Sequence, residues 1–532
     1  MKKMIKKNIF IAAALAMVFN SCTKDLDRNP FYGLNQISVY KDPANYKHVL
    51  AKIYAGYALT GNKGPAGSPD ITGFDEGSSG LLRSYWNLQE LTTDEAVCGW
   101  NDPGIPELNF NQWSSENQWV KFVYYRVYFE VALCNEFIRE TTEDKMSSRG
   151  FSETDKAAIR IYRNEARFLR ALAYFIEMDA FGKGPFVDES NLPGAFFPPE
   201  YSRSQLYSYI ESELLAIEAS MVGAKQNEYA RADKAAVWML LSKLYLNSQV
   251  YINAPHYNEV ITFTNKIISA GYSLEPQYKN LFLADNNNSN EIIFPITSDG
   301  LNTQTYGTTT YLVHASIGGS MRAVDFGVNS GWAGLRTTKN LIDCFIDPVT
   351  QTYDSLLDHR FIFYTSGQNI DINDITKFKD GYAVAKWKNI TSSGVIGRDP
   401  TKNFVDIDFP LFRLADVYLM YAEATLRGGN GDMSAAVGYI NQLRERAYGD
   451  PSHNVSSIDL PFIITERGRE LYFEGWRRTD LIRFGAFTGA SYLWPWKGGV
   501  QQGTGIDDYL KIFPIPASDI IANTNIKQNP GY

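Results

Sequence analysis

The chain is poor in cysteine and histidine, shows no basic cluster, and has no second apolar run long enough to span a bilayer. Of its four cysteines, Cys22 closes the N-terminal apolar stretch and only Cys98, Cys134 and Cys344 remain. Three thiols close at most one internal bridge, which excludes a disulfide scaffold. The five histidines (His48, His256, His314, His359 and His453) are scattered, without the H-E-x-x-H spacing of a zinc hydrolase. No G-x-S-x-G nucleophile elbow occurs. A formal charge of −8 without a basic patch argues against a nucleic-acid partner. Length alone would accommodate about three or four domains of ~150 residues. No Pro/Gly/Ser-rich linker divides the chain, however, and 44% hydrophobic residues suit one large core.

What is present begins at the N-terminus. Lys2, Lys3, Lys6 and Lys7 form a basic head, an apolar run follows from Ile9 to Phe19, and Asn20-Ser21-Cys22 ends it. The run has the length of a signal-peptide core and falls short of the ~20 apolar residues of a spanning helix. A small residue followed by cysteine resembles a bacterial lipobox. The reading is a signal peptide over 1–21, lipid on Cys22, and a mature chain of 22–532 forming a single domain. The acyl chains are then the only membrane anchor. Thr23-Lys24-Asp25-Leu26-Asp27 is similar to the post-cysteine signals of surface-exported lipoproteins in the Bacteroidetes.

Aromatic residues are abundant: 33 Tyr, 31 Phe and 10 Trp, or 14% of the chain. Most belong in a core, but an enrichment of this size also favours exposed rings, and C–H faces of sugars pack on those. Helical periodicity predicts helices over Ala44–Thr60, Ser115–Arg139, Glu153–Phe181, Arg203–Met221, Arg231–Tyr251 and Tyr257–Ala270. A later group covers Leu411–Arg427, Met433–Tyr448 and Pro461 to about Phe484. Pairs of this size suggest stacked hairpins like tetratricopeptide repeats. Between them lie Gly61–Pro106, Asp285–Asn340 and Asp347–Asp408, rich in Gly, Asn, Ser and Thr and read as long loops. Loops of that length in a compact protein are usually functional or disordered, and the Trp and Tyr content of these argues for ordered ones. The fold class expected is therefore mainly α, with tetratricopeptide-like helix pairs framing a loop-rich ligand-binding region.

Several segments in this order resemble the RagB/SusD family of outer-membrane nutrient-binding lipoproteins. They are Glu165-Ala166-Arg167-Phe168-Leu169-Arg170-Ala171, Arg231-Ala232-Asp233-Lys234-Ala235-Ala236, and Phe412-Arg413-Leu414-Ala415-Asp416-Val417-Tyr418-Leu419. The block Glu466-Arg467 with Glu470-Leu471 and Phe473-Glu474-Gly475-Trp476-Arg477-Arg478-Thr479-Asp480 follows, and the ending is Gln528-Asn529-Pro530-Gly531-Tyr532. Further segments, Gly67-Ser68-Pro69-Asp70, Thr93-Asp94-Glu95 and Trp494 with Trp496-Lys497-Gly498-Gly499, resemble its starch-binding members. The resemblance implies a surface-facing outer-membrane lipoprotein that captures α-glucan (starch or malto-oligosaccharide) for a SusC-like TonB-dependent transporter. It implies a glycan site of Arg83, Trp100, Tyr306 and Trp332, with Asn101 beside them in a segment one residue shorter than the family pattern. Cys98 falls where a further tryptophan is expected, which would shorten the aromatic platform. Another glycan, such as a fructan or host glycan, is the alternative ligand.

A surface glycoside hydrolase is the alternative activity, and it needs two carboxylates facing across a cleft. Asp94-Glu95 is the available pair, but adjacent side chains usually diverge, so binding without catalysis is the reading. No cofactor is required. Asp285, Asn287 and Glu291 offer hard oxygen atoms for a structural calcium, although the EF-hand glycine and distal glutamate are missing.

Overall fold

The computed structural model describes residues 36–532 other than 66, 193, 195, 348–351 and 354. Cys22 and the signal segment lie outside the described residues. The main helices are α1 (Asn45–Gly56), α2 (Leu81–Glu90), α3 (Gln118–Glu140), α4 (Glu153–Phe181), α5 (Arg203–Glu218), α6 (Lys234–Leu246), α7 (Tyr257–Ile268), α8 (Thr308–Ala315), α9 (Leu414–Leu426), α10 (Met433–Tyr448), α11 (Leu460–Leu471) and α12 (Arg477–Arg483). Strands are few and short. The two pairs that matter here are antiparallel, β1 (Ala96–Cys98) with β3 (Leu335–Thr337) and β2 (Ile292–Ile296) with β4 (Phe409–Arg413).

Local chemistry sets the longest helix. The Ser152 side chain accepts from the Asp155 N–H at the start of α4, and Glu153 and Asp155 place negative charge in its first turn. Gly182 ends it at φ 72°, a left-handed conformation that costs glycine nothing. Ala166, Leu169, Leu172, Ala173 and Ile176 are all buried along it. The helices then pack in sequence, α3 on α4, α4 on α5, α5 on α6, α6 on α7. The stack continues from α7 directly onto α9, and from α9 onto α10. Residues 269–413 therefore leave the helical stack and return to it, as the tetratricopeptide-like reading with an inserted loop region requires. No helix among the described residues is long and apolar enough to cross a membrane.

Two of the expected loops contain short helices. The Gly61–Pro106 segment includes α2, whose ten residues are all buried although its polar residues Arg83, Ser84, Asn87 and Glu90 recur at helical spacing. The Asp285–Asn340 segment includes α8, which opens on Thr308-Thr309-Thr310. β-Branched residues form helices poorly, and tertiary packing decides the matter here. The predicted continuous helix from Pro461 to Phe484 is broken at Tyr472–Trp476, where Phe473 adopts φ 62°.

The family-like C-terminal block forms a buried ion cluster. Arg413, at the end of β4, bonds Glu291 (2.8 Å), Glu470 (2.7 Å) and Glu474 (2.6 Å). Arg360 holds Asp358 (2.8 Å) and Glu466 (2.6 Å). Arg446 holds Glu291 (3.0 Å) and Glu470 (2.5 Å). Each of these side chains is at most 4% exposed. Burial alone would raise the Glu466 carboxyl, but Arg360, Arg469 and Arg444 outweigh it and hold it at about 2. The cluster joins the returning strand to α10 and α11, so the motif is a scaffold rather than a site.

Glu130 on α3 is the opposite case. It is fully buried and neither carboxyl oxygen has a hydrogen-bond partner. Desolvation raises its pKa well above the ordinary value, despite Lys52 and Arg126 nearby. An acid whose folded pKa is raised contributes full stability only below its unfolded pKa of about 4.3, and loses it as pH climbs. Glu130→Gln should therefore melt higher than the parent at pH 8, with the difference narrowing towards pH 5. Melting curves at the two pH values check this.

Candidate functional site

The short β1–β3 pair builds the site. Cys98 lies opposite Leu335, and one residue further on the Gly99 N–H donates to the Gly334 carbonyl (2.9 Å). Antiparallel continuation from that register sets Trp100 against the segment carrying Trp332. The Trp100 indole N–H donates to the Trp332 carbonyl (2.9 Å), and the two rings lie 6.3 Å apart at 46°. A Cβ at Gly334 would stand 2.4 Å from the Trp100 ring, so only glycine allows this approach.

The second support is α8. Tyr306 lies two residues before its first residue, Thr308, and Tyr311 rises from its middle. The carbonyls at its C-terminal end and just beyond it accept from the opposite loop: Trp332 N–H to His314 O (2.7 Å), Gly334 N–H to Ala315 O (2.8 Å) and, past the helix, Ala333 N–H to Ile317 O (2.8 Å). Helix-end carbonyls that lack intrahelical donors are thus satisfied by the platform loop. Thr308 (φ 47°) and Ala333 (φ 51°) both hold left-handed backbone beside the rings, strain of the kind that collects at functional positions.

Three half-buried rings result. Tyr306 lies 6.2 Å from Trp332 at 57°, and Trp332 continues to Trp100 at 46°. Successive inclination in this range gives a bent row of rings rather than a flat one. Phe404 packs behind Tyr306 at 5.3 Å, and the Asn403 amide donates to the Tyr306 hydroxyl (3.3 Å).

Arg83 belongs to the same group but lies beneath it. The sequence reading places its guanidinium among sugar hydroxyls. Instead it is 9% exposed on α2, centred 4.3 Å from the Tyr311 ring and 5.9 Å from that of Trp100. Both of its hydrogen bonds leave from Nη1, to the carbonyls of Gly77 (3.1 Å) and Tyr306 (3.3 Å). Burial lowers its pKa. Its first task is to hold Tyr306 and the 77 loop in place. Asn101 is exposed beside Trp100.

The position expected to shorten the platform lies inside the short strand. Cys98 is 1% exposed within β1, its thiol pushed up to about 12 by burial, and it adds no ring to the row. Cys134 and Cys344 are likewise buried and unpaired. Trp86, another loop aromatic, is core: it is 1% exposed and bonds the Phe473 carbonyl (3.0 Å).

Two other expectations meet different geometry. Asp94 and Glu95 do not face each other across a cleft. Both are buried, with Asp94 held by Arg477 (2.6 Å) and the Tyr492 hydroxyl (2.6 Å), and Glu95 accepting from the Phe473 N–H (3.1 Å). The calcium trio is not assembled. Both Asp285 oxygens accept from Ser392 (2.9 and 2.6 Å), Asn287 is exposed, and Glu291 is committed to Arg413 and Arg446. No group of three or more His, Cys, Asp or Glu suited to a metal ion occurs among the described residues.

Sequence reasoning missed Tyr311, Asn403, His314 and Arg336. Arg336 is fully buried and donates to the carbonyls of Gly334 (2.7 Å), Ile375 (2.5 Å) and Asp380 (3.0 Å), pinning the same loop from behind. The available signal was Tyr311-Leu312-Val313-His314-Ala315, a compact apolar run within a polar region.

Along its whole length the chain is 37% identical to the starch-binding protein SusD of Bacteroides thetaiotaomicron, with 100% of both chains covered. The chain belongs to the SusD family. The SusD family model itself matches residues 353–532, which hold most of the ion-cluster scaffold but none of the three platform rings. A SusD-like protein of Bacteroides ovatus is 24% identical over 91% of this chain and 83% of its own. Among solved structures, a SusD homologue from B. thetaiotaomicron superposes with TM-score 0.70 at 20% identity, covering 94% of this chain and 99% of that one. Surface glycan-binding protein A of the same organism, in complex with laminarihexaose, gives 0.67 at 19%, covering 91% and 99%. These structural likenesses establish the SusD fold for this chain.

Proposed function

We propose that this SusD-family protein captures α-glucan, starch or malto-oligosaccharide, on the bent row formed by Trp100, Trp332 and Tyr306. The observation that carries the reading is that row itself: three half-buried rings inclined at 46° and 57° in a chain 37% identical to a starch-binding protein. Pyranose C–H faces pack on aromatic rings. An α-glucan curves along its length, and a bent platform follows it better than it follows an extended β-linked chain. The exposed Asn101 amide is the polar group that would meet rim hydroxyls, with Arg83 supporting Tyr306 from beneath. A different glycan is the second reading, favoured by a neighbour of this fold bound to laminarihexaose. A glycan-panel binding screen decides between them. Retention by starch and malto-oligosaccharide supports the α-glucan reading, and selective retention by laminarin, fructan or host glycan overturns it.

The captured glycan is passed, in this reading, to a SusC-like TonB-dependent transporter, with acyl chains on Cys22 holding the protein at the cell surface. A barrel supplies the passage that a lipid-anchored body lacks. Cys22→Ala should shift the protein out of the detergent-soluble membrane fraction and remove palmitate labelling. Labelled Ala variant would refute the anchor.

A further inference from the structure

His314 is fully buried, yet both ring nitrogens have partners. Nδ1 lies 2.8 Å from the Ser330 carbonyl and Nε2 lies 2.9 Å from the Asn403 carbonyl. Its ring is stacked beneath Trp332, with centroids 4.6 Å apart and planes 19° from parallel. Its own carbonyl accepts the Trp332 N–H (2.7 Å). One residue therefore meets the platform through its ring face, one donated ring N–H, the packing of its other ring nitrogen, and its backbone.

Those ties connect the separate ring-bearing segments. Ser330 is two residues before Trp332 in the loop that carries it. Asn403, whose carbonyl meets Nε2, donates its side-chain amide to the Tyr306 hydroxyl (3.3 Å). Trp332 in turn accepts the indole N–H of Trp100. Segments 330–332 and Asn403 thus meet the imidazole directly, and Trp100 and Tyr306 are joined to it through them. With His314 covering one face of Trp332, only the other face can receive a sugar.

We propose that His314 is the positioning residue of the glycan platform, fixing the inclination of Trp332 and, through Asn403, the place of Tyr306. This rests on the α-glucan reading for its ligand, but not for its geometry. Stacking sets the plane of the Trp332 indole, and the paired carbonyl contacts set the height of the loop above α8. A phenyl ring at 314 keeps the stack and loses both nitrogen contacts, whereas a glutamine keeps one amide donor and loses the stack. No acidic or basic side chain acts on the imidazole. Burial lowers its pKa and the two carbonyls oppose that. In the neutral ring, one nitrogen alone carries a proton, so one carbonyl faces a lone pair and the arrangement depends on packing to hold it.

The test uses the full protein labelled with 15N-tryptophan, with maltoheptaose as probe. His314→Phe and His314→Gln should each weaken maltoheptaose binding at least fivefold. Each should also move the Trp100 indole N–H resonance upfield, since that proton reports the bond to the Trp332 carbonyl. Binding unchanged in both variants with the Trp100 signal in place overturns the proposal. If the parent fails to bind maltoheptaose, the α-glucan reading falls, and the Trp100 resonance in the unliganded variants still decides the positioning claim. If the variants do not fold, 15N-histidine labelling of the unaltered protein decides it. Maltoheptaose must then shift the His314 ring nitrogens together with the Trp332 indole, and movement of the indole alone overturns the proposal.

Discussion

Trp100→Ala and Trp332→Ala are each expected to weaken maltoheptaose binding by about tenfold or more while leaving the melting temperature nearly unchanged. Truncating a desolvated aromatic anchor commonly costs about 1.4 kcal/mol or more, which is a factor of ten in affinity. Both rings are half-buried at the loop surface, outside the ion cluster and the helical stack. Trp86 is the internal control. It is 1% exposed and packs on Tyr311 and Phe473, so Trp86→Ala should lower the melting temperature sharply, by the cavity cost of about 3–5 kcal/mol for a large core ring. Calorimetric titration and thermal melts on the three variants separate the roles. Parent-like α-glucan affinity in both platform variants would place the site elsewhere, and their unfolding would make these rings core.

Arg413→Met is expected to be among the most damaging single changes. The guanidinium contacts three carboxylates, Glu291, Glu470 and Glu474, at 2.6–2.8 Å with 1% exposure. Methionine fills much of the volume but leaves these charges short of a partner, and breaking a buried pair this way costs roughly 3–5 kcal/mol. The urea midpoint should fall accordingly. Removing Arg160, which pairs with Glu143 on the surface, should leave it unmoved. The same cluster sets acid stability. Arginines hold Glu466 at about 2 and Glu470 well below the ordinary range, against the opposing effect of burial. A depressed folded pKa contributes stability that is complete above the unfolded value of about 4.3 and is lost as pH falls through the folded one. Melting temperature should therefore drop steeply below about pH 4.

The helical scaffold was legible because its helices are long, amphipathic and capped. The Glu153–Phe181 helix is found with the bounds its periodicity predicts, and Met433–Tyr448 likewise. The two helices that position the site were not legible. α2 is only ten residues long inside a glycine-rich segment read as loop, and α8 starts with three threonines, which form helices poorly. Trp100, Tyr306 and Trp332 could be named from the resemblance, and the structure brings them together. The resemblance could not reveal that Arg83 lies under them, since its burial follows from α2 being a core helix. Nor could spacing reveal His314, because a lone histidine has no sequence signature until the carbonyls around it are placed. The residues expected to hold calcium are not brought together for a related reason: composition alone cannot show that Glu291 belongs to a buried arginine cluster. Asp94 and Glu95 are likewise absorbed by Arg477 and backbone donors.

A crystal of the protein soaked in maltoheptaose tests the central claim most directly. The account predicts glucose rings lying on Trp100 and Trp332, with the chain bending past Tyr306 and hydroxyls within hydrogen-bond reach of Asn101. Maltoheptaose bound at another surface, with these three rings bare, would contradict it.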